Sequence, residues 1–222
     1  MSSLSKTDII DWLKLFGVKN YTIRDDGTVD VDNDVNLHLR GEPSIPIQFG
    51  HVSGVFICMH NNLTSLAGAP QSVDDFFNCG FNKLTSLVGA PQSVGGSFSC
   101  GYNNLTSLIG APRFVGRNFN CANNKLTSLT GAPQSVGGGF SCSTNNLISL
   151  TGAPQSVGGV FYCASNPQLK ILPIFKIKGI TEIYHEAGKI LNKYYKPDGT
   201  GDIIAAQDEL IDAGFGAIAR MK

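Results

Sequence analysis

Charge is scarce in this sequence. Acidic and basic side chains make up 15% of its 222 residues, and 17 of one sign cancel 17 of the other. An ordinary globular chain carries about a quarter. Without a basic surplus the chain lacks the electrostatic footprint of a nucleic-acid or anionic-membrane binder. Long apolar runs are missing too, so no segment reads as a transmembrane span. The amino terminus, MSSLSKTDIIDWLKLFG, has no continuous apolar h-region and places Asp8 and Asp11 inside its apolar stretch. It does not read as a secretory signal, and the expected compartment is the cytoplasm. The apolar content of 42% excludes wholesale disorder, and the length allows one or two domains with a sizeable core.

What the chain does have is a repeat. All six cysteines (Cys58, Cys79, Cys100, Cys121, Cys142 and Cys163) stand 21 residues apart. In the same register fall a Phe two residues before each Cys, an Asn three residues after it, and a Val four residues before the Phe. Two leucines three apart follow in five repeats, and Gly-Ala-Pro follows each pair. Such a period marks a solenoid. Phe and Cys two apart point the same way from a short strand, so each coil is expected to place both inward in a parallel sheet. The Asn ends the strand and is expected to satisfy backbone groups of its own and the adjoining coil as an asparagine ladder. Gly-Ala-Pro predicts an irregular or polyproline-like opposite side.

The phrase NNLTSLxGAPQSVGGxFxC resembles the short leucine-rich-repeat (LRR) proteins of tailed bacteriophages and some bacteria, and more distantly the short-repeat arrays of secreted bacterial effectors. The resemblance covers residues 52–173. The flanks KNYTIRDDGTVDVDNDVNL and GDIIAAQDELIDAGF are also similar to the phage proteins, whereas no ubiquitin-ligase segment of the effector type is recognisable. The resemblance implies an LRR solenoid with its parallel β-sheet on the concave face and a mostly non-helical convex side. It further implies a binding scaffold of phage origin, acting in the host cytoplasm.

Solenoid ends need covers. Residues 1–51 read as an amino-terminal cap: a helix capped by Ser5 or Thr7 with Ile9, Leu13 and Phe16 on one face and Gly17 as its stop, then a hairpin around 24–27 and a degenerate first coil carrying Val35 and Leu37. Residues 52–173 are the array. Residues 174–222 read as a helical cap, with one helix over HEAGKILNKYY and a second from Asp202 to about Ala213.

No catalytic, metal or cofactor set can be assembled. The cysteines are expected as buried apolar fillers, since side chains stacked in parallel suit neither a disulfide nor a tetrahedral site. DVDND from Asp30 to Asp34 opens like a calcium loop but has Val35 and Gly41 where a Gly and a Glu are required, so a solvated acidic edge is expected. PDGTGD from Pro197 to Asp202 lacks the Lys and Ser/Thr of a phosphate loop and reads as a turn. His38, His51, His60 and His185 stand at no known catalytic spacing from Ser, Cys or carboxylate. The array's five basic and two acidic residues are too thin a surplus for nucleic acid.

The candidate site is therefore the sheet's outer face. His60, Phe81 and Tyr102 occupy consecutive coils two residues past Cys and are expected to stack into an aromatic strip, with Phe76 close by. The repeat breaks its consensus at Val73-Asp74-Asp75 and at Arg113-Phe114-Val115-Gly116-Arg117, and Arg117 beside Asn118 and Asn120 is expected as a multidentate donor next to the strip. Two functions follow. One is a non-enzymatic scaffold engaging a partner protein, which the resemblance makes a host factor, such as one of an antiviral defence system. The other is a structural or self-assembling phage protein, either a virion accessory or a homo-oligomer; the sequence leaves the oligomeric state open.

Overall fold

The computed structural model describes residues 4–37, 41 and 43–219, and His38 lies outside them. Each 21-residue coil makes two short strands, and the coils stack into a parallel β-solenoid of about seven turns. The Phe strands (Phe56–Ile57, Phe77–Asn78, Phe98–Ser99, Phe119–Asn120, Phe140–Ser141 and Val160–Tyr162) form one sheet, begun by Val35–Asn36. Register is kept throughout, Phe77 facing Phe98 and Phe98 facing Phe119. A second sheet, built from Ser72–Val73 and its equivalents, stands where an irregular side was expected. The proline of Gly-Ala-Pro removes only its own donor. The ladder resumes one residue later, where Gln92 N–H donates to the Gln71 carbonyl at 2.8 Å, and the β-branched valine then suits a strand with its side chain in the core.

Both sheets feed one core. The repeated Phe, Cys, Val and both Leu are buried in coil after coil. The six Phe rings run as a continuous stack, with centroids 5.2–5.7 Å apart and planes tilted by 6–21°. Removing each ring from water contributes roughly 1.5–3 kcal/mol. The thiols are all free and buried, and several reach a carbonyl of the next coil, as Cys121 Sγ does to Ser141 at 3.2 Å.

The ladder asparagine closes the backbone at each turn. Asn103 Nδ2 donates to the carbonyls of Cys79 (3.0 Å), Cys100 (3.1 Å) and Gly101 (3.3 Å), while its Oδ1 accepts from Leu84 N–H at 3.0 Å. Asn82, Asn124, Asn145 and Asn166 repeat the pattern. Ahead of each ladder residue the chain turns through a left-handed position at His60, Phe81, Tyr102, Asn123, Thr144 and Ser165, with φ between 53° and 58°. Glycine serves a separate corner. Gly110 has φ of 97°, and a Cβ there would lie 2.5 Å from the Leu87 carbonyl of the preceding coil.

At the amino end, α1 (Lys6–Leu15) starts in a capping box between Ser5 and Asp8 and buries Ile9 and Leu13. Tyr21–Ile23 and Val29–Val31 form the expected hairpin, and the second of these strands already pairs with Phe49–Val52 of the second sheet. Val35 faces Phe56, as the degenerate first coil requires. The acidic run is not merely solvated: Asp30, Asp32 and Asp34 each accept a hydrogen bond from the coil 21 residues on, from His51 N–H, the Ser53 hydroxyl and Val55 N–H.

At the carboxy end the two expected helices are present, preceded by a strand where a helical pattern was expected. Glu182–Tyr184 is a strand, added to the Phe sheet with Ile183 facing Phe161, and α2 begins only at Gly188 (Gly188–Tyr194). Its alternation of exposed, buried and exposed residues has the period of a strand. The side chain of Asn192 then occupies this last strand, its Oδ1 accepting from Ile183 N–H at 2.7 Å and its Nδ2 donating to the Ile183 carbonyl at 2.9 Å. Asp202 caps α3 (Ile203–Asp212) through Ala205 N–H, as read from the sequence.

Two expectations follow. Asn103→Asp keeps the shape but sets an acceptor against three carbonyls, so urea unfolding should show a loss of about 3–5 kcal/mol; a loss under about 1 kcal/mol would make the ladder incidental. Burial pushes the Cys58 thiol up to about 12 and raises the other five as well. A chromogenic disulfide at neutral pH should therefore leave the native protein unmodified and titrate all six thiols once it is unfolded.

Candidate functional site

Alternation along the Phe strands sends Phe and Cys into the core and leaves the residues between them on the outer face. On that face the structure brings three of the expected residues together. The rings of His60 and Phe81 lie 4.2 Å apart and those of Phe81 and Tyr102 4.1 Å apart, with planes within 17°. They are closer than the buried Phe rings and largely open to solvent, Phe81 at 41% and Tyr102 at 50%. All three hang from the left-handed corner, a conformation that costs a side-chain-bearing residue roughly 1–2 kcal/mol. Asn123 fills the same corner in the next coil, and Asn enters this region readily. A row of three aromatics there buys surface, not backbone comfort.

The other expected members lie elsewhere. Phe76 is half-buried at the opposite end of its strand from Phe81 and joins none of the ring pairs among the described residues. Arg117 sits at the corner before the Phe strand, not beside the strip, and its Nη1 is 3.9 Å from Asp75 Oδ1 two coils away. The two breaks in the repeat thus face each other. Phe114, in the same break, is 60% exposed on the second sheet.

Asn118 and Asn120 line a different feature, an open groove of about 480 Å³ across the carboxy-terminal half of the Phe sheet. Gly138, Gly139, Gly158 and Gly159 floor it, and Tyr162 and Thr181 lie across from the two asparagines. Tyr162 is visible in the repeat as the largest side chain in its register position. Tyr184, which faces it one strand on with ring centroids 5.6 Å apart, is hidden by the helical reading of its neighbours.

The histidine reading also changes. His51 Nδ1 lies 2.9 Å from Ser72 Oγ and its Nε2 lies 3.4 Å from Asp74 Oδ2, an arrangement that the 21-residue register creates and linear spacing conceals. It stands open on the second sheet. The side chain of His185 is buried, with Nδ1 accepting from Ala187 N–H at 3.0 Å and Nε2 3.3 Å from Glu186; burial lowers its pKa against the opposing charge of Glu186. Among the described residues, no three His, Cys, Asp or Glu side chains gather as a metal site, and no helix is long and apolar enough to cross a membrane.

Phe81→Asn should relieve about 1 kcal/mol of left-handed strain and forfeit ring stacking of similar size, so thermal unfolding should shift by no more than about 1 kcal/mol in either direction. A larger loss would make the strip a structural element. Comparison with protein-family models, with curated proteins and with solved structures finds no match for this chain.

Proposed function

We propose that this chain is a non-enzymatic scaffold that engages a partner protein through the strip of His60, Phe81 and Tyr102. The observation that carries the reading is three stacked, solvent-open aromatic rings on consecutive coils, held at a left-handed corner that is unfavourable for Phe81 and Tyr102. Contiguous exposed aromatics are the usual anchors of protein interfaces. The consensus phrase, with its paired leucines and ladder asparagine, supports the finer identification as a phage-type LRR protein. On that identification the partner is a host protein in the bacterial cytoplasm, one serving antiviral defence. The protein acts by occupancy rather than turnover: the Ser72–His51–Asp74 group is open to solvent, with the His51 and Asp74 side chains 41% and 62% exposed, rather than enclosed where water would be excluded. Assembly through the carboxy-terminal edge of the Phe sheet has less support, because Asn192 already fills the backbone groups of Ile183 there.

Affinity capture from bacterial lysate tests the reading, with tagged wild type beside Phe81→Asn/Tyr102→Asn. A host protein retained by wild type and lost by the variant, with unchanged circular dichroism, is the expected result. Retention by both would remove the strip as the site, and recovery of the chain alone would favour self-assembly.

A further inference from the structure

We infer that the groove over the carboxy-terminal half of the Phe sheet binds neutral carbohydrate, a site separate from the aromatic strip and independent of the reading given for it. Its chemistry is set by how its amides are held. Asn118 Oδ1 accepts from Gly139 N–H at 2.7 Å, and Asn120 Oδ1 accepts from Ala122 N–H at 2.9 Å. With each oxygen committed to the backbone, the amide orientation is locked and the NH₂ group of each is left to donate to whatever enters. Two fixed donors two residues apart on one coil call for a ligand rich in oxygen acceptors.

Tyr162 and Tyr184 supply the complementary element. They stand on adjacent strands, 39% and 58% exposed, and present apolar ring area with a polar tip. A pyranose has the matching character, with an apolar C–H face to lie on an aromatic ring and hydroxyls at its rim to accept from Asn118 and Asn120 and to donate to Ser141 and Thr181. The groove's volume of about 480 Å³ lies in the range of small-molecule sites.

Other ligand classes fit less well. No residue lining the groove is charged, which removes phosphate-backbone recognition. Arg117, next to Asn118, faces Asp75 instead, and Glu182 stands opposite Val160 at the lip, so an anionic sugar would meet a carboxylate. An added peptide strand needs free backbone groups. Those of the floor are taken: Gly139 O accepts from Phe119, Gly138 N–H donates to Arg117 O, and Gly159 O accepts from Thr181.

The test is NMR on the full chain with cellotetraose, chitotetraose, maltotetraose and mannotetraose as probes and a heparin tetrasaccharide as the anionic comparator. At least one neutral probe should shift the side-chain amide signals of both Asn118 and Asn120 and receive saturation transfer from tyrosine rings. Tyr162→Ala should weaken that binding by about tenfold or more. Gly139→Phe, which sets into the floor the residue that Phe76 already supplies at the same register position, should abolish it with the circular dichroism spectrum unchanged. Failure of all four neutral probes, tighter binding of heparin, or equal binding by both variants would overturn the assignment.

Discussion

Everything in this molecule depends on the buried amide of the ladder asparagine. A coil of this size must reverse direction inside its own interior, and reversing a chain leaves carbonyls and amides that water cannot reach. Asn103 answers three carbonyls and one N–H with a single side chain, and does so across two coils at once. No other residue of that length offers both a two-proton donor and an acceptor. Because the bonds span neighbouring coils, each amide also sets the register, and register in turn stacks the Phe rings and aligns the strands of both sheets.

Once register is set, the surface becomes a grid. Residues of like position fall into rows that cross the strands, so side chains 21 residues apart in the chain are neighbours in space. His60, Phe81 and Tyr102 form one such row, Asp30, Asp32 and Asp34 reach across to the next coil by the same rule, and His51 meets Ser72 through it. The core tolerates little change, while the rows outside are free to differ from coil to coil. Chemistry is therefore carried by departures from the consensus, as with Asp75 and Arg117, which face each other from the two breaks in the repeat.

Much of this was legible in the sequence. The inward set, the ladder and the aromatic stack follow from the period and from alternation within a strand, while the helix cap at Ser5 or Thr7 and the hairpin follow from local signals at the amino end. The second sheet was obscured because Gly-Ala-Pro dominates its local signal, although proline silences only one donor and the Ser-Val pair after it is free to join a ladder. The strand at Glu182–Tyr184 was obscured for a related reason, since it lies outside the regular period and beside a helix that lends its pattern to the residues before it. For the outer face, membership of a row could be read, but position along the strand was harder: Arg117 precedes its strand while Tyr102 follows the adjacent one, so the two sit at opposite ends of neighbouring strands. Which oxygen an amide commits to the backbone, as at Asn118, is a matter of three-dimensional contact alone.

Asn192, standing where another strand would add, gives the array a fixed end that does not depend on how many coils precede it. A gene for such a chain can gain or lose one 21-residue unit without disturbing either terminus. The outcome is a ruler with discrete marks: each unit inserted between Tyr102 and Asn118 would move the aromatic row away from the glycine-floored groove by one inter-strand step, about 4.8 Å, leaving both intact. Spacing between surface features is thus heritable in whole steps, adjustable by unequal recombination, and separable from the stability of the fold that carries them.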